Sequence, residues 1–530
     1  MSTPQSKINI CSGVRLKSDR KNTIYFSSSE KQLTYFAGKV VKTLSAYSYL
    51  RKNWSIKVET TIDQAEKWSY LYFQNGTSGK YYFYFITNAE YINDNTVELF
   101  LELDEMQTYL FDITLLPSFI ERQHVTSDTI GEHTLDENLE LGELITTSSN
   151  DISLQDMCVL IMATYDPITT QEEFTDTVLA AKYNNVFSGL GIYATNISDW
   201  QALGMKLKLL DDYGKSDGII SMWMYPKELV TLASDESWTD GKVTHKVTGV
   251  SNINYEHSGR VGNLNGYTPK NNKMFCYPYN FLYVDNNCGG SAVYRYERFG
   301  DPSRPNFRVC GALSPDGSVK CYPLNYNGEQ HAFEYGLGMS GFPTCAWNQD
   351  VYKLWLAQNQ NQHNQLLHTS GASIVAGAVT TIGGLATGNL LVAGAGAGMV
   401  VSGGTTIENL LAQKKDMSIQ PPQAKGSHST SVNVANGFQN FTIKRKCITK
   451  ENARIIDNFL DMYGYKINCR LTPNIHARES WTYIKTIDCN VVGELGNDDL
   501  AKIRTIFDNG VTFWVNGDKI GDYTQSNNTL

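Results

Sequence analysis

Charge and cysteine are both scarce in this chain. Asp, Glu, Lys and Arg make up 19% of its 530 residues, below the roughly 25% of ordinary soluble chains. The balance is acidic, with 45 Lys and Arg against 54 Asp and Glu. Gripping nucleic acid by phosphate neutralisation needs a basic face, so that class is not the first expectation. The 10 cysteines are far too few for a disulfide scaffold, and no pair has CxxC spacing. They read as small buried thiols, not as zinc ligands. Met1 to Ile10 hold no apolar run of a secretory signal.

Catalytic patterns are missing as well. There is no HExxH, GxSxG or Walker A loop. Gly394-Ala-Gly396-Ala-Gly398 imitates a glycine loop but has no lysine or acidic partner beside it. His363 and His368 lack a third ligand nearby. Asp104-Glu105 is a carboxylate pair with nothing to set an acid and a nucleophile apart. The expectation is a protein that is not an enzyme and carries no cofactor or metal.

Aromatic residues are abundant, with 31 Tyr, and suit pleated, half-buried surfaces. Lys80 to Ile86 reads as a strand, and Asn93-Asp94-Asn95 as a turn. Beyond it Val97, Leu99, Leu101 and Leu103 alternate with Glu98, Phe100, Glu102 and Asp104. Period two puts one set on a core and the other on a wet, acidic face. That face is either an ordinary solvated surface or the wall of an aqueous channel. Helical patterns are expected near Gln171–Val186 and Trp200–Asp211, and a buried strand near Gly218–Tyr225. Towards the C-terminus Ile456, Phe459, Leu460 and Tyr463 recur at helical spacing before Gly464. A second helix, capped by Asn497, carries Leu500, Ile503 and Phe507 and stops at Gly510. Strands are expected at Ser480–Ile487 and Val511–Val515.

One segment breaks the pattern. Residues 354 to 407 contain no Asp, Glu, Lys or Arg. From Gly371 to Thr406 the residues are mostly Gly, Ala, Val, Leu, Ile and Thr. The apolar ones are Ile374, Val375, Val379, Ile382, Leu385, Leu390, Leu391, Val392, Met399 and Val400. The stretch is long enough for one membrane span. Its glycines make a poor isolated helix but let membrane segments approach closely. A buried core hairpin and a flexible loop are the competing readings. Pro421-Pro422 and Gly426-Ser-His-Ser-Thr430 then mark a boundary.

Several stretches carry a resemblance. One runs from Phe85-Ile-Thr-Asn-Ala-Glu-Tyr91 through Glu102-Leu-Asp-Glu-Met-Gln-Thr108 to Ser118-Phe-Ile-Glu-Arg-Gln-His-Val125. Another joins Tyr463-Gly-Tyr-Lys-Ile-Asn468, Tyr483-Ile-Lys-Thr-Ile-Asp-Cys489 and Ile503-Arg-Thr-Ile-Phe-Asp-Asn-Gly510 with Trp514. Asn272-Lys-Met-Phe-Cys-Tyr-Pro-Tyr279 and Gln420-Pro-Pro-Gln423 add shorter pieces. The chain resembles the tail-knob (distal tail tube) proteins of small short-tailed phages that infect Gram-positive bacteria.

The resemblance implies a β-rich α+β, multidomain chain. Its N- and C-terminal regions, 1–165 and 426–530, would jointly form a tail-tube-like β-barrel wall. Residues 166–345 would form outer insertion domains, and 346–425 an apolar membrane-active loop with its linker. It further implies a homo-hexamer at the tail tip of the virion, joined to other tail proteins of the lower collar and upper tube. DNA would pass through without specific binding, and Glu98, Glu102 and Asp104 are the candidates for the channel lining. The loop starting at Gly371 would plug the tube and then enter the lipids of the host cytoplasmic membrane. The rival reading is a host-surface carbohydrate adhesin that uses the Tyr-rich stretch from Tyr255 to Tyr335. A secreted pore-forming toxin is a third, which the missing signal disfavours.

Overall fold

The computed structural model describes residues 7–45, 48–50, 54–76, 78–163, 182–183, 186–187, 191–196, 219–232, 245–314, 317–339, 342 and 439–530. The expected helix at 200–211 and the whole apolar stretch from Gly371 to Thr406 lie outside them.

The chain divides into two units. The first comprises 1–145, 261–280 and 447–530; the second comprises 146–260 and 281–446. These limits differ from expected boundaries at 165 and 426, and the reason is pairing. A four-stranded sheet in the order Leu144–Ser153, Asn440–Ile448, Asn280–Asp285, Ser291–Arg295 draws 146–153 and 440–446 into the second unit.

Within the first unit, a seven-stranded sheet runs in the order Val40–Leu44, Ile8–Ser12, Trp68–Gln74, Tyr81–Asn93, Thr96–Leu103, Ser55–Glu59, Ser48–Leu50. Period two sorts its side chains. Ile8, Ile10, Ile56, Val58, Leu71, Val97 and Leu99 form one core. Tyr70, Tyr72, Phe83 and Phe85 point to the opposite face and meet Phe36 of the Ser29–Ala37 helix. Ser28 caps that helix by accepting the Lys31 N–H at 3.3 Å. Phe36 stacks on Tyr70 with centroids 5.1 Å apart.

A second sheet in this unit is built from both ends of the chain. Its order is Asn22–Ile24, Val511–Trp514, Trp481–Ile487, Ser118–Gln123, Tyr465–Leu471. Asn22–Ile24 runs parallel to Thr512–Trp514, and the other neighbours are antiparallel. The helix Asn497–Asn509 packs Ile503, Ile506 and Phe507 against Ile484, Val511 and Phe513. Gly496 caps it in place of the expected Asn497, which is the first helical residue. The helix Lys450–Tyr463 ends as its spacing requires, at Gly464 with φ +66°. A Cβ there would stand 2.3 Å from the Gln123 backbone, so only glycine fits.

The second unit holds two further sheets around one core. A five-stranded sheet is ordered Ile219–Pro226, Met157–Ala163, Gly191–Asn196, His245–Val250, Val230–Leu232. A four-stranded one is ordered Ile253–Glu256, Asn306–Gly311, Val319–Pro323, Leu337–Met339. The expected buried strand is there, with Trp223 and Tyr225 in the core. The helix expected over 171–186 is corrected at its end, because Lys182–Tyr183 pairs antiparallel with Val186–Phe187. Asn184-Asn185 between them are turn formers.

Candidate functional site

The strand Thr96–Leu103 and the short helix that follows it carry the expected acidic residues. Val97 and Leu99 are buried and Glu98 and Glu102 half-buried, as period two requires. The face of Glu98, Phe100 and Glu102 is not wet throughout. Glu102 lies opposite Phe85, which belongs to the core under the Ser29–Ala37 helix. Further along the same face, Glu98 lies between Lys57 and Glu90 and accepts the Ser55 hydroxyl at 2.5 Å. Glu102 pairs with Arg20 at 2.8 Å.

Asp104 is corrected. It is 3% exposed and does not share the open part of that face. The strand has ended, and Asp104 caps the helix Glu105–Tyr109 by accepting the Gln107 N–H at 3.0 Å. The Tyr70 hydroxyl donates to its other oxygen at 2.9 Å. Burial pushes the Asp104 carboxyl up to about 6, against the pull of those two donors.

The helix Glu105–Tyr109 is buried along its length although it is polar. Such a helix persists only if its groups are satisfied, and it finds partners from distant segments. Glu105 takes Arg20 at 2.9 Å and Lys502 at 2.7 Å. Gln107 donates to Thr23 Oγ1 at 2.9 Å and to the Ile24 carbonyl at 2.8 Å, while Gln32 donates to the Gln107 side chain at 2.9 Å. The Tyr109 hydroxyl donates to Asp499 at 2.7 Å. Sequence reasoning missed this hub. Its one local signal is the Asp-x-x-Gln cap at 104 and 107. Asp104 and Glu105 are adjacent, but one is a cap and the other an ion-pair anchor.

Two more buried carboxylates tie the first unit together. Glu137 sits between Arg122 and Lys273 and accepts the Lys466 N–H at 3.0 Å. Asp457 accepts from the Tyr267 hydroxyl at 2.9 Å and from the Lys270 and Asn271 backbone at 2.7 and 3.1 Å. His124 is neutral, its value lowered to about 3 by burial and by Arg478. Its Nδ1 accepts the Tyr483 N–H at 2.8 Å, and its Nε2 donates to the Asp461 carbonyl at 3.0 Å.

The Tyr-rich stretch behind the adhesin reading spends many of its rings inside. Tyr279, Tyr294, Tyr296 and Tyr326 are buried, whereas Tyr335 is exposed. Six of the nine described cysteines are buried. Among the described residues no group of three or more metal-ligating side chains gathers, and no helix is long and apolar enough to cross a membrane.

The two ends of this β-rich chain share a sheet, and buried carboxylates join segments far apart in the sequence. The family model for the N-terminus of caudoviral major tail proteins matches residues 4–114, a first likeness to phage tail proteins. Residues 244–528, more than half the chain, match the family described as tail knob protein gp9 of Bacillus phage phi29, C-terminal domain, and the chain belongs to these tail knob proteins. It is 26% identical to the tail knob proteins gp9 of Bacillus phages B103, PZA and phi29, covering 98% of each chain in every case. The solved structure of the bacteriophage C1 tail knob protein, gp12, superposes with a TM-score of 0.61 at 14% identity, over 99% of this chain and 100% of that one. The fold is therefore that of a tail knob protein, and the chain is a component of a virion tail.

Proposed function

We propose that six copies close into a ring at the tail tip and form a distal tube through which phage DNA leaves without specific binding. Other tail proteins of the lower collar and upper tube sit on the ring. The observation that carries this reading is the charge-free run 354–407 within a chain of the tail knob family. Six apolar segments, each from Gly371 to Thr406, meet on the axis, shield one another from water and block the tube. At the host cytoplasmic membrane they pass into lipid, favoured by roughly 25 cal/mol per Å² of apolar area buried. Backbone groups then pair within helices or closed strands, because lipid offers no partners. The small side chains of the segments allow close contact in the pore.

Glu98 and Glu102 remain the candidates for an acidic lining, since like charge keeps phosphate from sticking. Buried Asp104 does not belong to it. Liposome leakage tests the pore: purified rings added to lipid vesicles should release a trapped dye, and rings lacking 371–406 should not. Equal leakage from the two would sink the membrane role. Replacing Glu98 and Glu102 with Lys tests the lining, with DNA retained in partly emptied virions as the expected result.

A further inference from the structure

The hairpin Tyr81–Leu103 is longer than the sheet that holds it. Of the hairpin, the strand Trp68–Gln74 pairs only with Tyr81–Phe85. Beyond Phe85, residues 87–93 have a hydrogen-bonded strand on one side only, Thr96–Phe100, among the described residues. Bulges between Ile86 and Asn88 and between Tyr91 and Asn93 bend this distal half. The second bulge makes Ile92 the extra residue, and it is 40% exposed beside Tyr91 at 57%. From 87 to 98 the only charges are Glu90, Asp94 and Glu98. A free, acidic edge with two exposed large side chains is a template for another strand.

The same sheet has a second, different free edge. Val40–Leu44 pairs with Ile8–Ser12 and with no other strand among the described residues. Val41 is 56% exposed there. The surroundings are basic. Lys42 belongs to this edge, and exposed Arg15 and Lys17 follow the neighbouring strand, while Lys39 just before the edge is paired with Asp518 at 2.7 Å.

We infer that the distal half of the hairpin is an arm that pairs along the Val40–Leu44 edge of a second copy of the chain. The argument rests on opposite charge, on exposed apolar side chains at both edges, and on unpaired backbone at both. Arm and acceptor are different surfaces, so the contact is heterologous and repeats from copy to copy until a ring closes. The inference deepens the ring reading above and rests on it.

The test uses the full chain, with sedimentation velocity and electron microscopy of rings. The arm variant is Tyr91→Asp with Ile92→Asp, and the acceptor variant is Val41→Asp with Lys17→Glu. Ile455→Lys, at an exposed apolar residue of the Lys450–Tyr463 helix, is the control. Each variant alone should lose rings at least tenfold while its circular dichroism melt stays cooperative, and the control should keep them. An equimolar mixture of the two variants should stop at dimers, because each copy retains one working edge. Amide exchange of 87–93 and 40–44 in the wild-type ring gives a second readout and should be slowed at both. Normal rings from either variant, or an unprotected arm within a ring, would overturn the arm and leave the ring reading standing. A wild-type chain that stays monomeric at every concentration removes both.

Discussion

Asp104 and His124 place opposite pH slopes in one unit. Asp104 titrates near 6 when folded and near 3.9 when unfolded. The folded state therefore binds the extra proton between these values, and stability falls as pH rises from about 4 to 6. His124 is held down to about 3 against an ordinary 6.5, so its share of stability is lost as pH falls through that window. Asp104→Asn keeps a cap acceptor and removes the first slope. Relative to wild type it should be near neutral at pH 4 and gain about 2–3 kcal/mol by pH 7, read from denaturant midpoints. An unchanged difference across pH would remove the buried-carboxyl account. Gly464→Ala should cost more than an ordinary helix-end substitution, at about 2 kcal/mol or above, because strain at positive φ adds to the clash with Gln123.

Among the elements, the Ser29–Ala37 helix buries Gln32 and Phe36. Phe36 is fully buried among Tyr70, Tyr72 and Phe83, so Phe36→Ala should cost about 3–5 kcal/mol in a melting or denaturant experiment. The Glu105–Tyr109 helix depends on its partners instead. Glu105→Ala removes the carboxylate shared by Arg20 and Lys502 but leaves Arg20 its Glu102 partner, and should destabilise by about 1.5–3 kcal/mol; Lys502→Met, whose ammonium is half exposed, should cost under about 1 kcal/mol. These two helices mark what a sequence can and cannot disclose. The Lys450–Tyr463 helix was legible to the residue, since its apolar spacing and its glycine stop are both local. The acidic row was legible through Glu102 and failed at Asp104, where the alternation runs one residue past the end of the strand. The hub was not legible, because Arg20 and Lys502 reach Glu105 from 85 and 397 positions away. Nothing in local periodicity points across such distances.

For the whole molecule, coverage of both ends by tail-protein families fits a unit assembled from 1–145, 261–280 and 447–530. The family resemblance implied that the two ends work together. It did not indicate that 261–280 returns to them, where Asp457 receives the backbone of Lys270 and Asn271 and Glu137 holds Lys273. Asp457→Ala should therefore loosen 261–280 selectively, seen as faster proteolysis there with the second unit still folded. The parallel pairing of Asn22–Ile24 with Thr512–Trp514 has a consequence for synthesis. On the ribosome, the strand made among the first residues waits for one made among the last. A product released early, before Trp514, leaves Asn22–Ile24 without the strand that completes its edge of the sheet.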